Sequence, residues 1–420
     1  MGMSKKYFIM LAVVISSGSL YGCAQKENKK GSNTIKFVSP QTQIADKIEA
    51  YAKSFEEQNP GYHIELQINA NNYEENVVFA FAAGDASADV LEVHHTIDTP
   101  EFKDYLQPLG NSGDLKEKYR YLEAVDDVVY TLPLGVDIEG GILYDKSVLN
   151  NVGVTNIPDT PEALTEILYK VQEQTDIIPL YTHFTDKQMQ KGWNALATSL
   201  DGEADYRTVL LEMDHPFSKN TEFYRTYKIL YDAVREGMTE VNTGGLGSWE
   251  EANNLLLQHK IAATIVPAEY AYDIWQQTNQ SQDYIYSPFV AKDGSKYLYI
   301  GTNNGLAISK ECKNVELATK WIDYLYNDTD YLAQLGCDYV LQENEDYELI
   351  SKLEQQNIKV VEMKNLSQEE AAAFEKRDNE SELALSNGYF GCNLIDKVQY
   401  EGTAYDELCD SWNDAWVTSK

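Results

Sequence analysis

The sequence predicts an α/β protein large enough for two domains. Short strand-like runs alternate with helix-like stretches along the whole body, the pattern of packed mixed layers. The body from Thr34 to Lys420 is long for a single core, and a hydrophobic content of 43% excludes a disordered chain.

TIKFVS (34–39) reads as the first strand. A helix follows with Ile44, Ile48, Tyr51, Ala52 and Phe55 on one face, and it stops at Asn59-Pro60-Gly61. HIELQIN (63–69) alternates as a second strand, NNYEENVVFAFAAG is helical to Gly84, and ADVLEVH (88–94) is a third strand. Thr160 is placed to cap a helix whose first position is Pro161 and whose apolar face is Ala163, Leu164, Ile167, Leu168 and Val171. Ser248-Trp249-Glu250-Glu251 has the form of a capping box, opening a helix that runs into the strand-like KIAATIV (260–266). Asn314 caps KNVELATKWIDYLYN, with Leu317, Ala318, Trp321, Ile322 and Leu325 in one stripe. These stripes are core by default.

Ahead of the body, Lys5 and Lys6 lead into the uncharged run YFIMLAVVISSGSL, the pattern of a secretory signal. The run is short of the ~20 residues a membrane-spanning helix needs. Leu20-Tyr21-Gly22-Cys23 resembles the bacterial lipobox, with Tyr21 where a small or β-branched residue is usual. The expectation is a lipoprotein signal peptide over 1–22, diacylation at Cys23, and a flexible tether over 23–33. The protein would then sit on the cell membrane, lipid-anchored and facing the exterior.

The chain carries 34 Lys+Arg against 67 Asp+Glu, a net charge of −33. Such a surface repels phosphate backbones and anionic head groups, which argues against nucleic-acid partners and leaves the lipid as the membrane contact. Cys312, Cys337, Cys392 and Cys409 are widely spaced and form no C-x-x-C pair, so no zinc or redox motif is signalled. Disulfides and buried thiols both remain open for them. Thirty tyrosines suit sugar stacking and ordinary cores alike.

The order of motifs resembles the extracellular solute-binding proteins of family 1, lipoprotein receptors that feed sugar-importing ABC transporters. The matching stretches are GDASADVLEVH, DYLQPL (104–109), VYTLPLGVDIEGGILYDKSVLNNVGVTNIPDTPEAL (129–164), WEEANNLLLQHKIAATI and YIGTNNGLAISKECKNVELATKWIDYLY. Together they span nearly all of 34–327 in the family's order, and the likeness thins beyond Leu332. Pro161 stands where the family has tryptophan and Asp145 where it has asparagine.

The resemblance implies a two-lobed, class II periplasmic-binding-protein-like fold whose α/β lobes are joined by hinge strands and close on ligand. Lobe one would be 34–137 plus 288–340, and lobe two 138–287 plus 341–420. The implied role is a monomeric receptor, without cofactor or metal, that passes a mono- or oligosaccharide to membrane permease subunits. A polyamine or metal-complex receptor is the alternative, and a secreted glycoside hydrolase a more distant one. Against an enzyme, the chain lacks G-x-S-x-G, H-E-x-x-H, a P-loop and G-x-G-x-x-G.

A sugar cleft pairs aromatic platforms with planar polar groups. Carried over by position, the candidate contacts are Gln41 after the first strand, His94 and His95 after the third, and Asp137 beside the hinge. Trp193 and Trp249 open segments that border the cleft, Glu269 and Tyr270 follow the 260–266 strand, Asn303 and Asn304 fall in a loop before GLAIS, and Tyr389 lies near the C-terminal helices. The family's tryptophan near Tyr270 is absent, which departs from a maltodextrin-like stacking geometry.

Overall fold

The computed structural model describes residues 33–84, 88–94, 101–202, 205–278, 283–364 and 366–420. The signal peptide, Cys23, the tether as far as residue 32, and His95 lie outside the described residues.

The described residues build two main sheets and a two-stranded ribbon. β1 (Thr34–Ser39) pairs in parallel with both β2 (His63–Ile68) and β3 (Val90–His94). A short ribbon, β4 (Gly110–Asn111) with β5 (Val128–Val129), precedes β6 (Thr131–Glu139). The chain then crosses at Gly140-Gly141 into a four-stranded sheet made of β7 (Ile142–Asp145), β8 (Ile178–Tyr181), β9 (Ile261–Ile265) and β10 (Tyr284–Ser287), in the order β10-β7-β9-β8. It returns as β11 (Lys296–Ile308), which pairs antiparallel with β3 and β6 and parallel with β12 (Ile358–Glu362), completing a six-stranded first sheet. After β12 it crosses a third time.

Glycine is required at the first crossing. Gly140 has φ of 99°, a region that favours glycine, and a Cβ on Gly141 would overlap the ring of Tyr286.

The expected caps form. Thr160 Oγ1 accepts from the Ala163 amide at 3.2 Å, and Asn314 Oδ1 from the Leu317 amide at 3.1 Å. Ser248 Oγ accepts from the Glu251 amide at 3.3 Å. Glu251 itself turns elsewhere: its Oε2 accepts from the Leu246 and Gly247 amides and from the Tyr181 hydroxyl. A full capping box is found instead at Ser367 and Glu370.

Phe37 and Phe55 pack edge-on against Trp321 in the first core, and Phe217, Tyr227, Phe390 and Trp412 anchor the second. The tyrosines are largely structural, since eight are among the biggest fully buried side chains. Several hydroxyls reach main-chain carbonyls, as where Tyr326 donates to Leu132 and Pro133 and Tyr284 to Leu256.

The lobe boundary after residue 340 differs from the expectation. β12 joins the first sheet, and Leu349, Leu353 and Ile358 sit in the first core. Only from Phe374 onward does the chain return to the second core. The apolar run IKVV beside β11 decides this, because an unfilled sheet edge offers it a full row of partners. Cys312, Cys337 and Cys409 are buried free thiols, and Cys392 is a half-buried one. Among the described residues no helix is long and apolar enough to cross a membrane.

Candidate functional site

Strand directions place the site. The C-terminal ends of β1 and β3 share one edge of the first sheet, and β11 brings Asn304 opposite His94 there. β6 runs past that edge, so Asp137 and Glu139 lie on the strand that leaves the first sheet. β7 begins with Ile142 opposite Ile265, the C-terminal end of β9. The C-terminal edges of both sheets therefore meet at the crossing, the position where open α/β sheets hold ligands.

At the crossing, Asn303 Nδ2 donates to Asp137 Oδ1 at 2.9 Å. Glu269 Oε2 accepts from the Ile138 amide at 2.9 Å, tying the helix Ala268–Thr278 to the crossing strand. Glu269 Oε1 and Asn303 Oδ1 are buried acceptors with no hydrogen-bond partner. Gly135 makes room for this: a Cβ there would come within 2.8 Å of Oδ1 of both Asn303 and Asn304. These asparagines are strand residues, where a loop was expected. A bulge interrupts the β11–β6 register at Asn304 and re-aims the side chains.

Burial, reinforced by the Asp137 charge and opposed by Lys191, pushes Glu139 up to about 7. Burial and then Asp137 likewise hold Glu269 well above the usual carboxylate range. The group is rich in acceptors yet sparing in fixed negative charge near neutral pH.

On the first sheet, Gln41 Nε2 donates to Glu92 Oε2 at 2.8 Å. Glu92 Oε1 accepts from Ser39 Oγ at 2.6 Å and from the Tyr331 hydroxyl at 3.2 Å. Burial raises the Glu92 carboxyl, and these hydrogen bonds oppose the rise. His94 Nδ1 lies 3.4 Å from Glu74 Oε1 and edge-on to Tyr73.

On the helices that flank β9, Trp249–Leu256 and Ala268–Thr278, Trp249 is 39% exposed and packs edge-to-face on Tyr270 with centroids 4.3 Å apart. Behind them stand Tyr181, His183 and Thr264, and Glu240 accepts from the Thr182 amide and hydroxyl. Tyr389 is partly exposed, with Lys187 Nζ 3.8 Å from its ring centroid and bonded to its hydroxyl.

Trp193 is placed apart from these groups. It is 1% exposed, stacked on Tyr227 inside the second core, because the helix Lys187–Ser199 turns that face inward. Residues passed over by sequence reasoning include Glu92, Glu240 and His183. Glu92 had a signal, as a lone carboxylate in the otherwise apolar run VLEV (90–93). Among the described residues no cluster of three His, Cys, Asp or Glu side chains could hold a metal ion.

Residues 39–331 match the family model of the bacterial extracellular solute-binding protein. No curated protein sequence matches the chain. Among solved structures, the chain is similar to an ABC-transporter binding protein from Bifidobacterium animalis subsp. lactis in complex with mannobiose. The TM-score is 0.75 at 22% identity, over 92% of this chain and 94% of that one. A sugar transporter structure from Bacillus licheniformis in complex with stachyose matches at TM-score 0.62 and 17% identity, covering 92% and 100%. Apo RafE from Streptococcus pneumoniae matches at TM-score 0.60 and 16% identity, covering 94% and 100%. With the family model matched over most of its length, this chain belongs to the bacterial extracellular solute-binding proteins.

Proposed function

We propose that the protein is a receptor for a mono- or oligosaccharide, held to the outer face of the cell membrane through lipid on Cys23, that hands its ligand to the permease of an ABC importer. The observation that carries the sugar reading is the acceptor group at the crossing, Asp137, Asn303 and Glu269, with the Trp249–Tyr270 platform on the neighbouring helices. The Asp137 carboxylate and the Asn303 amide oxygen accept from sugar hydroxyls, a neutral Glu269 carboxyl can donate as well as accept, and an aromatic face stacks on sugar C–H groups. Solved neighbours carrying mannobiose and stachyose point the same way.

The three carboxylates Asp137, Glu139 and Glu269 keep a second reading alive, a cationic solute such as a polyamine. The raised Glu139 and Glu269 weigh against it, because a protonated carboxyl offers a cation no charge. Calorimetric titration with mannobiose, raffinose, stachyose and spermidine tests both. Saturable sugar binding without product release supports the proposal. Binding of spermidine alone, or steady hydrolysis of a sugar, would overturn it.

A further inference from the structure

Thr264 fixes the tautomer of a buried histidine. Its hydroxyl donates to the Tyr181 carbonyl at 3.0 Å, so its one proton is committed there. His183 Nε2 lies 3.0 Å from that same oxygen and must therefore be the N–H donor. His183 Nδ1 is then a lone-pair acceptor. It is buried without a partner, in a residue with no exposed surface. The Tyr270 hydroxyl is also buried without a partner, in a residue 2% exposed. The two rings stand 6.3 Å apart between centroids, at 83°. Each follows the C-terminal end of a strand in the second sheet, β8 for His183 and β9 for Tyr270, and Trp249 is the exposed neighbour of Tyr270.

An orphaned acceptor and an orphaned donor, both buried, are each costly to leave unpaired. A hydroxyl group can serve both at once, since it donates one hydrogen bond and accepts others. We propose that His183 and Tyr270 form a hydroxyl-recognition pair. One hydroxyl of the bound ligand donates to His183 Nδ1 and accepts from the Tyr270 hydroxyl. An ammonium would leave the Tyr270 O–H donor unpaired and a carboxylate would leave the His183 acceptor unpaired, so the pair favours a neutral hydroxylated ligand. The inference rests on the sugar reading and sharpens it.

Burial keeps the imidazole neutral by pushing it down to about 3, so the acceptor persists through ordinary pH. The titratable groups around it are Tyr181 and Tyr270, whose own values burial raises, and Glu240 across the adjoining turn.

The test uses wild type, Tyr270→Phe, His183→Leu and the double variant, titrated with mannobiose, raffinose and stachyose, with apo melting temperatures alongside. Tyr270→Phe keeps the ring and should weaken sugar binding about ten- to a hundredfold while leaving the apo melting temperature level or higher. The double variant should bind no worse than the weaker single one, because both side chains hold one hydroxyl. Wild-type affinity in Tyr270→Phe refutes the pair and leaves the sugar reading standing. So does a lowered apo melting temperature without loss of affinity, which would mean that the hydroxyl bonds protein instead. Should none of the three sugars bind wild type, the sugar reading fails and the pair falls with it.

Discussion

Replacing Glu240 by Gln should change how stability depends on pH, by an amount the structure sets. The Glu240 side chain is fully buried, and both its oxygens accept from the Thr182 amide at 2.9 Å. Burial outweighs those bonds and lifts the carboxyl from 4.5 to about 7. A group raised on folding contributes stability that is complete below its unfolded value and is lost as pH climbs through the folded one. Each unit is worth ~1.36 kcal/mol, so wild type should lose about 3 kcal/mol from this carboxyl between pH 4.5 and 7. Glutamine does not titrate and lacks that slope. At ~2.1 cal/mol/K per residue, unfolding 420 residues has an entropy near 0.9 kcal/mol/K. The melting temperature of Glu240→Gln relative to wild type should therefore climb by about 3 °C between pH 4.5 and 7. The contribution of His183 has the opposite sign but is common to both proteins and cancels in the difference. Thermal unfolding followed by circular dichroism measures it. A difference that stays constant with pH would refute the reasoning, whatever its size.

Asp137→Ala should weaken sugar binding by ~1.5–3 kcal/mol, roughly ten- to a hundredfold by calorimetry, and should lower the titration of Glu139 by removing a neighbouring charge. Gly388→Ala should cost about 2–4 kcal/mol in denaturant unfolding. Gly388 has φ of 77°, and a Cβ there would overlap the Lys187 carbonyl oxygen. Cys23→Ala should move the protein from the membrane fraction to the medium in a native-like host, and retention on the membrane would exclude lipid as the anchor.

The fold was legible where side chains act locally. Thr160, Asn314 and the periodic stripe ending in Leu325 depend only on neighbours three or four residues away. The strand at 358–362 was not, because its short apolar run gains meaning only beside β11. The site was legible in part. Asp137 and Asn303 were both named from position, but their bond arises from a bulge that no periodicity shows. Trp193 carried the aromatic signal of a platform and spent it in the core, where a stacking partner of its own, Tyr227, was waiting. His183 had no signal at all. Its importance comes from one proton on Thr264, a residue that reads as an ordinary β-former in IAATI.

The triple crossing between the sheets has a consequence for how the protein is made. β3 can pair with β1 as soon as both have been synthesised, but its other neighbour, β11, comes some two hundred residues later, and β12 later still. The first sheet cannot close until most of the chain exists, and pairings of such long range form slowly. A nascent chain would carry an unfinished, open-edged sheet through nearly the whole of its synthesis, competent for threading through a narrow translocation pore and exposed to aggregation in the same interval.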